Sequence, residues 1–150
     1  MPGSWPQQAH PGLTDDNCVV TSPRFNGYNC IAWAAGDNTR WWWPVPLRGI
    51  NYWPRGIPRE ETLDAFISAF GTVGFTLCVD GSLQDGIEKI AIFARQVGAL
   101  LIPTHAALQL ESGEWTSKMG SAEDITHITL DAVNGPLYGK SETFLARPRN

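Results

Sequence analysis

Charge is what this chain has least of. Asp, Glu, Lys and Arg make up 17% of its 150 residues, against about a quarter in ordinary globular chains. Hydrophobic residues make up 43%, which excludes disorder of the charge-rich, apolar-poor kind. The charge present sums to -4, with a pI near 5.2, so the basic footprint of a nucleic-acid binder is missing. Cysteine is scarce too. Cys18, Cys30 and Cys78 are odd in number and widely spaced, a poor disulfide framework. No CxxC or HxxxH pair occurs, so a zinc site has no spacing to rest on and no cofactor is expected. No apolar run approaches the roughly 18 residues of a membrane span. The stretch 1–8 has no basic region followed by an apolar run, so no secretory signal is read there. The expected location is cytoplasmic, with signal-free secretion as an effector as the alternative.

Aromatic residues and proline are what the chain does have. Seven Trp include the consecutive Trp41, Trp42 and Trp43, and there are 11 Pro. The length fits one domain, 1–150. Residues 1–26, rich in Pro, Gly and polar residues, read as an extended N-terminal arm with a short strand at 18–21. Asn29 to Ala35, followed by Gly36, reads as a short buried helix with an Asn cap and a Gly stop. The dense prolines of 40–59 forbid a regular helix and predict an aromatic loop. A second helix starts near Pro58–Thr62, with Leu63, Phe66, Ile67 and Phe70 on one stripe and Gly71 as its stop. Strands are predicted at 75–79, 88–94, 105–110, 114–118, 124–127 and 143–146. Helices first and antiparallel strands afterwards predict an α+β architecture ending in a β-meander.

Cys30 would lie in the first turn of the first helix, where the helix dipole favours a thiolate and lowers the thiol pKa. A thiolate needs a general base, usually His, brought near by the fold. His105 opens a predicted strand and is the candidate. Asn29 and backbone N–H groups near Cys30 are candidates to hold an oxyanion. The bland reading is that a Cys within Ile-Ala-Trp-Ala-Ala simply packs, as buried Cys usually does, and that His105 is structural.

The stretches 28–34 (YNCIAWA), 42–44 (WWP), 89–94 (KIAIFA), 104–107 (THAA), 115–120 (WTSKMG) and 124–127 (DITH) resemble an uncharacterised bacterial and fungal family of about this length. More distantly, the order of a helix-borne Cys, a His-led strand, a Gly turn and a further strand resembles the NlpC-type and CHAP-type papain-like hydrolases. That resemblance implies a papain-like fold and a Cys–His pair cleaving amide bonds in peptides or peptidoglycan-like substrates. Cys30 and His105 match the two roles.

The third polar residue is open. A three-residue turn at Glu111–Gly113 would pair Leu110 with Glu114 and place Ser117 on the face of His105. A two-residue turn would place Thr116 or Lys118 there instead. His127 or Asp124 can also orient the imidazole, although Asp124 serves equally as a cap and His127 as a core ring. Trp41, Trp42 and Trp43 with Tyr52 and Trp53 either wall a substrate groove beside Cys30 or pack the loop onto the sheet. Lys118 and Arg59 either bind a substrate carboxylate or are solvated charges. The leading reading is a thiol hydrolase acting as peptidoglycan peptide amidase, peptidase or deamidase. Its rivals are a non-catalytic module using the aromatic groove for a partner protein, and a small metal site built from Cys30, His105 and His127.

Overall fold

The computed structural model describes residues 3–46 and 51–150. Residues 1–2 of the predicted arm and 47–50 of the predicted loop lie outside that range. The expected α+β papain-like (NlpC-like) fold with N-terminal helices is corrected. The protein is mostly antiparallel sheet, with 35% strand and only 12% helix. The strands are β1 (Cys18–Ser22), β2 (Thr76–Cys78), β3 (Ile87–Val97), β4 (Leu100–Gln109), β5 (Trp115–Lys118), β6 (Asp124–His127) and β7 (Lys140–Pro148). They form one sheet in the order β1-β6-β5-β4-β3-β7-β2, and every neighbouring pair is antiparallel.

The meander from β3 to β6 follows the local sequence signals. The turn between β4 and β5 has three residues. Leu110 N–H donates to the Glu114 carbonyl at 2.8 Å and Gly113 N–H to the Leu110 carbonyl at 2.9 Å. Gly113 takes φ 93°, a conformation that costs glycine nothing. The resulting register pairs Leu108 with Thr116 and Gln109 with Trp115, so Ser117 falls on the face of His105.

Both faces of the sheet are covered, and strand alternation divides the apolar residues between them. Ile90, Ile92 and Ala106 enter a first core with the helices α1 (Cys30–Ala34) and α2 (Leu63–Gly71). Ala91, Phe93 and Ala107 enter a second core with Trp5 and Leu13 of the N-terminal arm and with Ala132 and Val133. Burial on both faces explains why β3 reads as a continuous apolar run. Each fully buried Ile or Phe stabilises the fold by about 1.5–3 kcal/mol.

Local signals set the helix ends. Asn29 caps α1 by accepting from Ala32 N–H at 3.2 Å. Gly36, at φ 87°, closes it after five residues. Gly36 N–H donates to Trp33 and Asp37 N–H to Ala32, at 3.0 and 2.9 Å, which is a Schellman stop. The helix is therefore too short to give the N-terminal half a helical layer of its own. The aromatic loop packs on the first core instead. Trp43 and Trp53 both meet Phe66 of α2 edge-on at 5.2 Å. No helix among the described residues is long and apolar enough to cross a membrane.

Candidate active site

Cys30 is the first residue of α1 and is 5% exposed. Its Sγ rests on the backbone of β4, 4.0 Å from the Thr104 carbonyl and facing the Ala106 N–H. The ladder between β4 and β5 ends at Leu108 and Thr116, so beyond that point the thiol meets β4 backbone. Pairing between β3 and β4 shifts register between Phe93↔His105 and Ala94↔Pro103. Thr104 is the extra residue of that bulge, a device that re-aims neighbouring side chains. Burial pushes the Cys30 thiol up to about 11, against the opposing pull of the Ala106, Ile31 and Cys30 amides. The expected depression at the helix start is corrected: loss of water outweighs the dipole of a single turn.

His105 enters from the other side. Its ring lies flat on Tyr138, with centroids 4.0 Å apart and planes 8° apart, and edge-on to Phe93 at 5.3 Å. Its Nε2 lies 2.9 Å from Ser117 Oγ. Ser117 Oγ lies 2.7 Å from His127 Nε2, and His127 Nδ1 lies 2.8 Å from the Thr129 carbonyl.

The directions of these bonds are fixed from the far end. A carbonyl only accepts, so His127 Nδ1 carries the proton. Burial lowers His127 to about 4, so it is neutral at neutral pH and its Nε2 is a bare acceptor. Ser117 O–H therefore donates to His127, and Ser117 Oγ accepts from His105 Nε2–H. Burial also holds His105 well below its ordinary value, so this ring is neutral too. Its remaining nitrogen, Nδ1, is a bare lone pair, buried and with no hydrogen-bond partner. The chain Thr129–His127–Ser117–His105 thus ends on an unoccupied base.

A cavity of about 530 Å³ opens above Cys30, lined also by Thr104, Tyr138, His10, Trp43 and Met119. Of the residues singled out in the sequence, Cys30, Asn29, Trp41 and Trp43 line it. His105, Ser117 and His127 lie behind it, all fully buried. No hydrogen bond joins Cys30 to His105: the thiol belongs to the first core and the imidazole packs with the second, with the β4 backbone at 104–106 between them.

Four roles expected from the sequence are corrected. Asn29 is not free to hold an oxyanion. Its Oδ1 accepts from Ala32 and Trp42 N–H, and its Nδ2 donates to the Trp42 carbonyl at 2.8 Å. Lys118 does not face a substrate. It is fully buried, and its Nζ donates to the carbonyls of Phe25, Gly120 and Ala122, each at 2.6 Å. Trp42 and Trp53 are core residues at 3% and 4% exposure. Their indole N–H groups are held by Asp37 Oδ2 at 2.8 Å and the Pro58 carbonyl at 3.0 Å. Among the described residues, no three His, Cys, Asp or Glu side chains converge to hold a metal.

Sequence reasoning missed Tyr138 and His10. Tyr138 sits in a loop bracketed by Gly135 and Gly139, whose backbones pair with each other. Gly139 has φ 72°, and a Cβ there would fall 2.1 Å from the Ala94 carbonyl. An aromatic between two obligatory glycines was the available signal. His10 is 1% exposed, lies 4.6 Å from the Tyr138 ring, and directs Nδ1 to the Val133 carbonyl at 3.4 Å. Nothing local in the proline-rich arm marks it.

The profile of a family described as a domain of unknown function (DUF7689) matches residues 19–146. No curated protein and no solved structure matches the chain. Nothing in these comparisons supports the NlpC-type or CHAP-type resemblance.

Proposed function

We propose that this chain, which belongs to the DUF7689 family, is a thiol-dependent hydrolase of amide bonds, with Cys30 as nucleophile and His105 as general base. The observation that carries this reading is the bare His105 Nδ1, left without a partner at the end of an otherwise satisfied chain. A buried acceptor without a partner costs about 1–3 kcal/mol. Such a cost persists where the atom has work in another state of the molecule. The residue carrying it stands between the two backbone groups that touch the Cys30 thiol.

In the resting site the thiol and the imidazole are both neutral, with the β4 backbone at 104–106 between them. On substrate binding the thiol proton passes to Nδ1, a step that requires the Cys30 side chain to leave the Thr104 carbonyl and reach the His105 ring. Sulfur then bonds to the carbonyl carbon, and the carbonyl electron pair moves to oxygen. The C–N bond breaks as the leaving amine takes the proton from the imidazolium. Water, deprotonated by the same nitrogen, releases the acid and restores the thiol. Ser117 and His127 act as positioning residues that hold the tautomer. The substrate class is a peptide or a peptidoglycan-like peptide, its acyl side received by the cavity beside Trp43 and Met119.

The test is acylation by p-nitrophenyl acetate, with the acyl group located by peptide mass. Acetylation at Cys30 that His105→Ala reduces by at least tenfold supports the reading. Acetylation no faster than that of Cys78, a half-buried thiol outside the cavity, overturns it. A second reading, a partner-binding module, is favoured by one observation, the raised thiol pKa of about 11. It predicts the second outcome.

A further inference from the structure

The reacting carbonyl of such a site needs a donor for its developing oxyanion, and the Asn29 carboxamide is already engaged. Tyr138 has the necessary properties. Tyr138 is 6% exposed, and its ring stacks on His105 at 4.0 Å and meets His10 at 4.6 Å. Its backbone carbonyl is tied to the Thr104 hydroxyl at 2.5 Å, and the Thr104 carbonyl is the one that contacts the Cys30 thiol. The Tyr138 hydroxyl makes no hydrogen bond among the described residues, yet it is not one of the sealed, unpaired polar atoms. Tyr138 lines the cavity together with Cys30. Burial, with the Cys30 charge in addition, holds this phenol well above its ordinary value, so it stays protonated and can only donate to an anion.

We propose that Tyr138 is a catalytic residue of this centre, its hydroxyl donating a hydrogen bond to the oxyanion of the tetrahedral intermediate formed on Cys30. The proposal rests on the thiol-hydrolase reading above. It gives the cavity a donor fixed by ring stacking, so little reorganisation is needed when charge develops. No proton is lost from Tyr138 in the cycle; the oxyanion electron pair returns to re-form the carbonyl as the leaving group departs.

Two probes separate this role from a structural one. Iodoacetamide alkylates Cys30 by direct displacement, with no oxyanion. Acylation by p-nitrophenyl acetate passes through one. Both are read at Cys30 by peptide mass, with the thermal midpoint of each variant as the folding control. Tyr138→Phe keeps the ring and its stacking. It is expected to slow acylation by about a hundredfold, the effect of deleting one oxyanion donor, while alkylation changes less than twofold. Equal losses with both probes overturn the proposal in favour of a positioning role for the ring. No loss with either overturns it outright and leaves the Cys30–His105 reading intact. Absence of Cys30 acylation in the unmodified protein overturns that reading and the proposal with it. Should Tyr138→Phe not fold, 3-fluorotyrosine at 138 replaces it: a more acidic donor must change acylation and leave alkylation unchanged, and equal behaviour of the two probes counts against the proposal.

Discussion

Two buried polar clusters lie within a few residues of each other in this sheet, and they end differently. At the Lys118 cluster every strong group is used. The ammonium donates to three backbone carbonyls and stands 5.0 Å from the Tyr28 ring centroid. Asp124, its partner across β5 and β6, accepts from Tyr28 Oη at 2.6 Å and from the Thr21 hydroxyl. At the His105 cluster the chain of donors runs out one atom early and leaves Nδ1 bare. Full satisfaction specifies a structure; the incomplete cluster leaves a buried proton acceptor, the atom on which the proposed chemistry rests. By sequence alone Lys118 reads either as a substrate-binding cation or as a solvated charge, and it is neither. The difference between the clusters shows that availability is set by partners, not by charge.

Mutation sharpens that contrast. The largest expected effect is on the incomplete cluster: His105→Ala lowers acylation of Cys30 by about 10²–10⁴-fold, the span of general-base contributions, with urea unfolding as the control for loss of the buried ring. At the closed cluster, Lys118→Met strands three carbonyls and removes the positive charge that offsets buried Asp124. It should cost about 3–5 kcal/mol in urea unfolding, as for one partner removed from a buried pair. The double variant Lys118→Met, Asp124→Leu should recover part of that loss. A double variant as unstable as the sum of the singles would show that the two residues do not act as a unit.

The next effect is on pH. His127 titrates near 4 in the folded chain against about 6.5 unfolded, and His105 and His10 are lowered as well. The unfolded state therefore binds more protons in this window, so the stability is present above about pH 6.5 and is lost as pH falls towards 4. His127 alone contributes roughly 3 kcal/mol to that loss, read as a falling midpoint in urea melts from pH 7 to pH 4. A flat profile would mean that these rings are not held neutral. The smallest effect expected is at Ser117→Ala, which unties the imidazole but leaves Nδ1 in place. Acylation should fall by about tenfold, close to the 1.4 kcal/mol of one modest hydrogen bond.

What was legible in the sequence was local. Asn29 marked a helix start and Gly36 its stop, and both hold because caps depend on a few neighbouring residues. Gly113 marked the turn, but whether it has two or three residues, and so whether Ser117 meets His105, is settled by the structure. Fold class was not legible. The two helices are five and nine residues long, and nothing in their sequence tells that they cover one face of a sheet whose other face is sealed by the N-terminal arm. β1 pairs with β6 across more than a hundred residues, and β7 returns beside β3; pattern within a strand does not name its neighbour. The candidate site was half legible for the same reason. Cys30 and His105 were visible as residue types, but Tyr138 and His10 reach the cavity only through pairings of distant segments. The thiol pKa went the other way because burial, which sequence does not measure, outweighed the helix start.

The most direct measurement is the pH dependence of Cys30 alkylation by iodoacetamide from pH 6 to pH 9, in the unmodified protein and in His105→Ala. If His105 Nδ1 takes the thiol proton, the unmodified protein reacts throughout this range with a weak dependence on pH. The variant then slows, and its rate climbs about tenfold per pH unit, as expected for a thiol far below its own pKa. Two superimposable profiles, each climbing as an unassisted thiol, would contradict the pairing of Cys30 with His105.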